Sequence, residues 1–260
     1  MGLLVTQDID KHHRCCMKAM IFAAGLGTRL KPLTDTLPKA LVTVDGKPML
    51  LHAAEKLMAA GVRDIIVNVH HHAGLLKTFV AGLDYPGIRF HISDETGQLM
   101  DTGGGLKKAA GSLKGEEAFF LYNADILCEI DLDDMLKEHR RQRPIATLAV
   151  SRRQTPRNFL WHEKRLAGWE DSRSGDRILC TDATREQLKA MAFSGIHLVE
   201  PHLLDLIREE GPFPITRLYL RLAKTYDIMA YEHKPGQWAD IGTPDKLERA
   251  REMVKNRKIY

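Results

Sequence analysis

The sequence predicts an α/β protein built on a doubly wound, mixed but mainly parallel sheet with helices on both faces. Three observations predict it. Apolar runs of strand length alternate with amphipathic stretches through residue 150, the rhythm of right-handed βαβ units. The runs are continuously apolar, as in strands buried on both faces. Residues with chemistry to offer, among them Gly25, Asn123, Asp125 and the loop 93–105, fall at the carboxyl ends of those runs, where open α/β sheets bind ligands.

The elements follow in order. "AMIFAAG" (19–25) reads as the first buried strand. "PMLLHAAEKLMAAG" (48–61) reads as a helix with Leu50, Ala54, Leu57 and Met58 on one face, Pro48 near its start and Gly61 at its end. "DIIVNVH", "IRFHIS", "AFFLYNAD" and "IATLAV" are further strands. They are separated by helices over "AGLLKTFVAGL", the glycine-started "GGGLKKAAGSL", and "DLDDMLKEHRRQ", whose opening acids suit the positive end of a helix. After residue 150 the rhythm changes. A hairpin with its turn at Glu163-Lys164 comes first, then strands "AFSGIHLV" and "YDIMAYEH", and a last helix from Pro244. This reads as one domain over 17–260, with 17–150 as the ligand-binding part and 151–260 as a substrate-facing elaboration, preceded by a poorly ordered extension over 1–16.

Composition narrows the function classes. With 44% hydrophobic and 28% charged residues, the chain is an ordinary globular protein. A net charge of +4 suits a small anionic substrate, and the absence of any basic block argues against a nucleic-acid partner. No apolar run approaches the ~20 residues of a membrane span. Cys15, Cys16, Cys128 and Cys180 form no CxxC pair, which points to a reduced, cytoplasmic setting. Consecutive residues on an extended chain face opposite ways, so His70, His71 and His72 do not chelate one ion and mark a loop at the sheet edge. Trp161 and Trp169 flank the hairpin and suit a small hairpin core or an oligomer contact.

The loop after the first strand places Gly25, Gly27, Thr28, Arg29 and Lys39 together. Amides freed by glycine, with cations beside them, suit a polyphosphate; a glycine turn with solvated cations is the alternative. A dinucleotide fingerprint is excluded, because Leu30 stands where a third glycine belongs and Pro32 and Pro38 prevent a helix from following closely. The Walker pattern GxxxxGK[ST] is absent.

"AAGLGTRLKPLTDTLPKAL" (23–41) closely resembles the GxGTR…PK signature of the sugar-1-phosphate nucleotidylyltransferases. Residues 121–125, "FSGIHLVEP" (193–201) and "WADIGTPDKLERA" (238–250) agree in the family's order, so the resemblance covers roughly 17–255. The "DTGGG" run and the short C-terminal part look most like the N-acetylmuramate-1-phosphate uridylyltransferases, with mannose- or heptose-1-phosphate guanylyltransferases close behind. The resemblance implies a Rossmann-like nucleotide-diphospho-sugar transferase fold. It also implies transfer of a nucleotidyl group from a triphosphate to a sugar-1-phosphate, most simply from UTP, in a cytoplasmic monomer or homodimer serving cell-wall sugar synthesis. A cytidylyltransferase for a phospho-alcohol and a regulatory subunit without catalysis are the alternatives; the latter would have lost Arg29, Lys39, Asp125 or Asp240, and all four are present.

In that reading Arg29 clamps the leaving pyrophosphate and Lys39 holds phosphates at the reacting centre. Ala24, Gly25, Gly27, Thr28 and Asn123 bind the nucleotide, while Lys31 is a solvated loop cation. The resemblance sets Asp125 and Asp240 opposite one another across the phosphates as ligands for Mg²⁺. Gly103, Gly104 and Gly105 offer close approach to the base. Asp101 and Glu95 are weighed as base acceptors, with ordinary loop acids preferred. On the sugar side, Gly195 and Asn68 are the candidates. The Glu-Lys-Pro segment of many members is missing, which leaves Arg152, Arg153, Arg157 or Arg173 as substitutes, each a solvated surface residue by default.

Overall fold

A computed structural model of the chain describes residues 17–256; the extension expected over 1–16 lies outside the described residues. The alternation of strand and helix is realised. β1 (Met17–Phe22) runs through a long loop and a small ribbon, β2 (Thr43–Val44) and β3 (Lys47–Pro48), into α1 (Met49–Ala59). β4 (Val62–Val69), α2 (Ala73–Ala81), β5 (Arg89–Asp94), α3 (Asp101–Leu113) and β6 (Phe119–Asn123) follow. These strands form a parallel block of the sheet in the order β6-β1-β4-β5, with Ile21 opposite both Val67 and Tyr122.

β7 (Ile126–Cys128), α4 (Leu132–Gln142) and β8 (Ala146–Ser151) come next. The hairpin of β9 (Arg157–His162) and β10 (Arg165–Asp171) turns at Glu163, which adopts a left-handed φ of 55°. Then come β11 (Asp176–Leu179), β12 (Leu188–Val199), α5 (Ile215–Leu222), β13 (Ile228–Glu232), β14 (Trp238–Asp240) and α6 (Pro244–Asn256). One ten-stranded sheet draws strands from both sides of residue 150. The rhythm of the sequence does not disclose its order: β12 inserts antiparallel between β6 and β8, and β13 then runs parallel to β8.

Helices cover both faces. α1, α2 and α4 bury Leu50, Leu57, Leu76, Val80 and Met135 in one core, while α3 and α5 bury Leu106, Leu113, Leu218 and Tyr219 in the other. The continuously apolar strands feed both cores. Ala19, Ile21, Phe120 and Tyr122 point to the first, and Met20, Phe119 and Leu121 to the second. Each large side chain buried in this way contributes about 1.5–3 kcal/mol, which is why these strands carry no polar face. Trp161 is fully buried in the second core and Trp169 packs at its margin, so Trp161 belongs to the main core rather than to a separate hairpin core.

A third cluster matters for function. Leu30, Val42, Val44 and Met49 pack against Leu127, Ile241, Leu247, Ala250 and Val254, tying the loop after β1 to β7, the segment after β14, and α6. The three histidines lie in the turn from β4 to α2, where His70 Nδ1 lies 2.8 Å from the Glu95 carbonyl and His72 Nε2 lies 3.3 Å from that of Thr34. Among the described residues no helix is long and apolar enough to cross a membrane.

Candidate active site

At the carboxyl ends of β1, β4 and β6 a cavity of about 480 Å³ opens. It is bounded by Ala23, Ala24 and Gly25, by Asn68, by Asn123 and Asp125, and by Leu99, Asp101 and Thr102 at the start of α3. Asn68 positions the first wall. Its Oδ1 accepts the N–H groups of Ala23 (2.6 Å) and Ala24 (3.3 Å), and its Nδ2 donates to Glu95 Oε1 (2.8 Å). Glu95 is fully buried, and its Oε2 accepts the Met100 N–H at 3.2 Å. The side chain of Asn68 is therefore engaged on both sides, and Glu95 is turned inward to the loop backbone. Asp101 remains at the cavity wall, its Oδ1 accepting the Thr102 N–H (2.6 Å).

The loop itself is shaped by two glycines of different kind. Around Gly25 there is open space. Gly27 has φ 66°, and a Cβ there would lie 2.8 Å from Thr34 Cγ2; the Thr34 hydroxyl in turn donates to the Gly27 carbonyl at 2.8 Å. Only glycine combines that left-handed turn with that close approach. Thr28 and Arg29 follow on an exposed single turn, anchored by the buried Leu30. Lys31 pairs with Asp35 (3.0 Å) on the exposed loop.

The carboxylates meet through a two-stranded ribbon. β7 and β14 pair antiparallel with Asp240 opposite Ile126, and the Ile241 N–H donates to the Asp125 carbonyl at 3.1 Å. Each carboxylate holds an ammonium: Lys39 donates to Asp125 Oδ2, while Lys246 Nζ lies 2.7 Å and 3.1 Å from the two oxygens of Asp240. A Cβ on Gly242 would lie 2.7 Å from Asp240 Oδ1 and 3.6 Å from Arg29 Nη2, so this glycine lets the carboxylate and the guanidinium close on the same spot. Three cations and two carboxylates thus converge at one edge of the sheet. Among the described residues no group of three or more His, Cys, Asp or Glu is placed to hold a metal alone. The pair Asp125–Asp240 fits a cation that takes one or two carboxylates and completes its shell with phosphate oxygens and water.

On the far side, Gly195 sits in a bulge of β12 with φ 74°, where a Cβ would lie 2.8 Å from Asn123 Nδ2. Arg153 stands behind it. Its Nη1 donates to the hydroxyls of Ser151 and Ser194 (both 2.9 Å), its Nη2 donates to the Phe193 carbonyl, and its guanidinium lies 3.8 Å over the Trp238 ring. Burial pulls this group down to about 10, with the Asp240 charge opposing. Arg152 instead pairs with Glu232, and Arg157 and Arg173 both pair with Asp171.

The glycines of α3 have a place other than the one expected. A Cβ on Gly103 would overlap the Phe213 ring, one on Gly104 would lie 2.7 Å from the Gly211 carbonyl, and one on Gly105 would lie 2.7 Å from Glu95 Oε1. The N–H groups of Gly103 (2.8 Å) and Gly104 (3.2 Å) donate to the Phe213 carbonyl. All three are buried against protein, and Leu99, Asp101 and Thr102 line the cavity in their stead. The sequence reading also passed over Lys246 and the stacking of Arg153 on Trp238. Lys246 lies inside the segment 238–250, but its spacing from Asp240 matches no local rule that would announce the pair.

The family model for nucleotidyl transferases matches residues 18–159. The chain is 32% identical over 235 residues to the N-acetylmuramate alpha-1-phosphate uridylyltransferase of Caulobacter vibrioides, covering 87% of this chain and 92% of that protein. It is 31% identical to the mannose-1-phosphate guanyltransferase of Gibberella zeae, covering 88% of this chain but only 61% of that longer relative. Among solved structures, a UDP-glucose pyrophosphorylase from Acinetobacter baumanii superposes with a TM-score of 0.76 over 92% of this chain and 93% of that one, at 17% identity. That likeness concerns the fold, which is the nucleotide-diphospho-sugar transferase fold.

Proposed function

Because the chain belongs to the nucleotidyl transferase family, we propose that it transfers a nucleotidyl group from a nucleoside triphosphate to a sugar-1-phosphate, giving a nucleoside-diphosphate sugar and pyrophosphate. The observation that carries this reading is the meeting of Asp125 and Asp240 on one ribbon, beside Arg29 and Lys39, at the strand ends that also bound the cavity. In the reaction an oxygen of the sugar phosphate attacks the α-phosphorus. The new P–O bond forms as the bond to the bridging oxygen breaks, and pyrophosphate leaves with the electron pair. Both reactants are anions, so alignment and charge neutralisation carry the catalysis.

The residues divide that work. The backbone of Ala24, Gly25, Gly27 and Thr28 approaches the triphosphate, with Asn68 holding Ala23 and Ala24 in line. Arg29 receives the charge that develops on the leaving pyrophosphate through its planar fork. Lys39 passes from Asp125 to a phosphate oxygen. Asn123 and Gly195 form the wall between nucleotide and sugar. Asp125 and Asp240 would hold Mg²⁺, which when bound supplies charge neutralisation and a template for the phosphate oxygens.

UTP is the proposed donor. A relative that this chain spans almost end to end is a uridylyltransferase. GTP is the second reading, supported by the guanyltransferase relatives of similar identity. The test is pyrophosphate release with a matrix of triphosphates and sugar-1-phosphates. A preference for UTP of about 10²-fold or more is expected if a few buried hydrogen bonds read the base. Highest kcat/KM with GTP would replace UTP, and release with no sugar-1-phosphate at all would refute the proposal.

A further inference from the structure

We propose that Lys246 is an exchangeable counter-ion: it occupies the face of Asp240 that a divalent cation takes, and gives that face up when a triphosphate arrives. The inference rests on the reading above that Asp240 is a cation ligand.

The geometry of the carboxylate supports it. Asp240 Oδ1 already accepts the Gly242 N–H at 2.9 Å, and Lys246 Nζ spans both oxygens, at 3.1 Å from Oδ1 and 2.7 Å from Oδ2. Oδ2 is thus the oxygen with the fewest donors, and the ammonium stands on it. A cation that binds Asp240 must share or displace that ammonium.

Of the two partners, the lysine is the one free to move. Asp240 is fixed by its ladder with β7, by the Gly242 N–H, and by the missing side chain at Gly242, and its side chain is 15% exposed. Lys246 reaches in from the first turns of α6, and its side chain is 46% exposed. An ion pair whose ammonium is half-exposed binds weakly because solvent screens that partner and the long side chain loses freedom when it is held.

Charge decides when the exchange takes place. Lys39 neutralises Asp125 as Lys246 neutralises Asp240, and Arg29 lies against Gly242. A divalent cation entering alone would join a cluster that already holds a cation for each carboxylate. A triphosphate reverses that balance and offers both ammoniums new oxygens. Cation and triphosphate should therefore bind with positive coupling, each raising the affinity for the other by the same factor. The lysine sets the size of that factor by penalising the cation when it comes alone.

The test is Mn²⁺ binding to the nucleotide-free protein, read from the electron paramagnetic resonance signal of free Mn²⁺. Lys246→Gln keeps a polar tip, on a shorter side chain, but removes the charge. It should tighten Mn²⁺ by about two- to fivefold, the range a pair with one half-exposed partner commands, and the gain should shrink when a non-hydrolysable triphosphate is present. Asp240→Asn should weaken Mn²⁺ binding. If Asp240→Asn weakens binding while Lys246→Gln leaves it unchanged or weaker, the counter-ion role is overturned and the ligand role of Asp240 stands. If Asp240→Asn has no effect, the ligand reading fails and takes the inference with it.

Discussion

At the scale of single residues, the site is a set of charges that Gly242 lets close on one spot. Arg29 is exposed on a single turn, and only the adjacent Leu30 reaches into a core. Arg29→Ala should therefore leave the unfolding midpoint unchanged and lower kcat for pyrophosphate release by about 10²-fold or more, as for other donors that meet developing charge. Wild-type turnover in a folded Arg29→Ala protein would remove it from the site. Gly242 acts by what it lacks. A methyl group there would meet Asp240 Oδ1 at 2.7 Å, and the carboxylate must shift because its backbone is held in the ribbon. Gly242→Ala should cost on the order of 10²-fold in kcat, the scale of a 1 Å misplacement, and should raise the metal concentration needed for half-maximal activity. Unchanged metal dependence would mean that Asp240 has room to adjust.

At the scale of elements, α3 shows how one helix carries glycines for opposite reasons. Gly103 packs against the Phe213 ring and carbonyl, whereas no atom beyond its own helix and chain neighbours lies within 4 Å of the Cβ position at exposed Gly111. Alanine is worth about 0.8–1.0 kcal/mol over glycine inside a helix, and overpacking a tight contact costs about 1–3 kcal/mol. At Gly103 the clash wins, because the obstacle includes a carbonyl oxygen at 2.8 Å as well as a ring. Gly103→Ala should lower stability to urea by up to about 2 kcal/mol net. Gly111→Ala should raise it by about 0.5–1 kcal/mol. Urea titrations of the two variants check both signs, and a destabilised Gly111→Ala or a stabilised Gly103→Ala would show that packing around α3 differs from that described.

At the scale of the whole molecule, stability should depend on pH through buried histidines. His197 is fully buried beside the Tyr219 hydroxyl (2.7 Å), and burial pushes it down to about 3. His139 and His233 are also lowered, first of all by burial. In the unfolded chain these imidazoles take up protons as the pH falls through about 6.5. The native state takes them up only at lower pH. Between those values the unfolded state binds more protons, so stability is fully present above about pH 6.5 and declines below it. Each histidine that stays neutral contributes a slope of at most about 1.4 kcal/mol per pH unit. The carboxylates that arginine holds low, among them Asp64, Glu138, Asp171 and Glu209, act mainly in and below the ordinary carboxylate range near pH 4 and leave most of this window to the histidines. Urea midpoints at about pH 7.5 and about pH 5 should differ, with the acid value lower; equal midpoints would contradict the buried neutral histidines.

The sequence by itself determined the parts of this protein that depend on local pattern. Continuous apolar runs declared strands buried on both faces, and their alternation with amphipathic stretches declared the doubly wound sheet. The Gly25–Lys39 loop stands out because glycines and cations are concentrated in one short stretch, whereas the pairing of Asp125 with Asp240 was implied only by the family resemblance. Tertiary structure alone decided the rest. Periodicity says which faces are buried but not which strand lies beside which, so the insertion of β12 between β6 and β8 has no local signature. The same holds for Gly103, where a glycine that admits a neighbouring ring reads like one that admits a ligand. It holds most of all for Lys246, whose reach to Asp240 exists because the ribbon of β7 and β14 and the third core cluster fix where α6 begins.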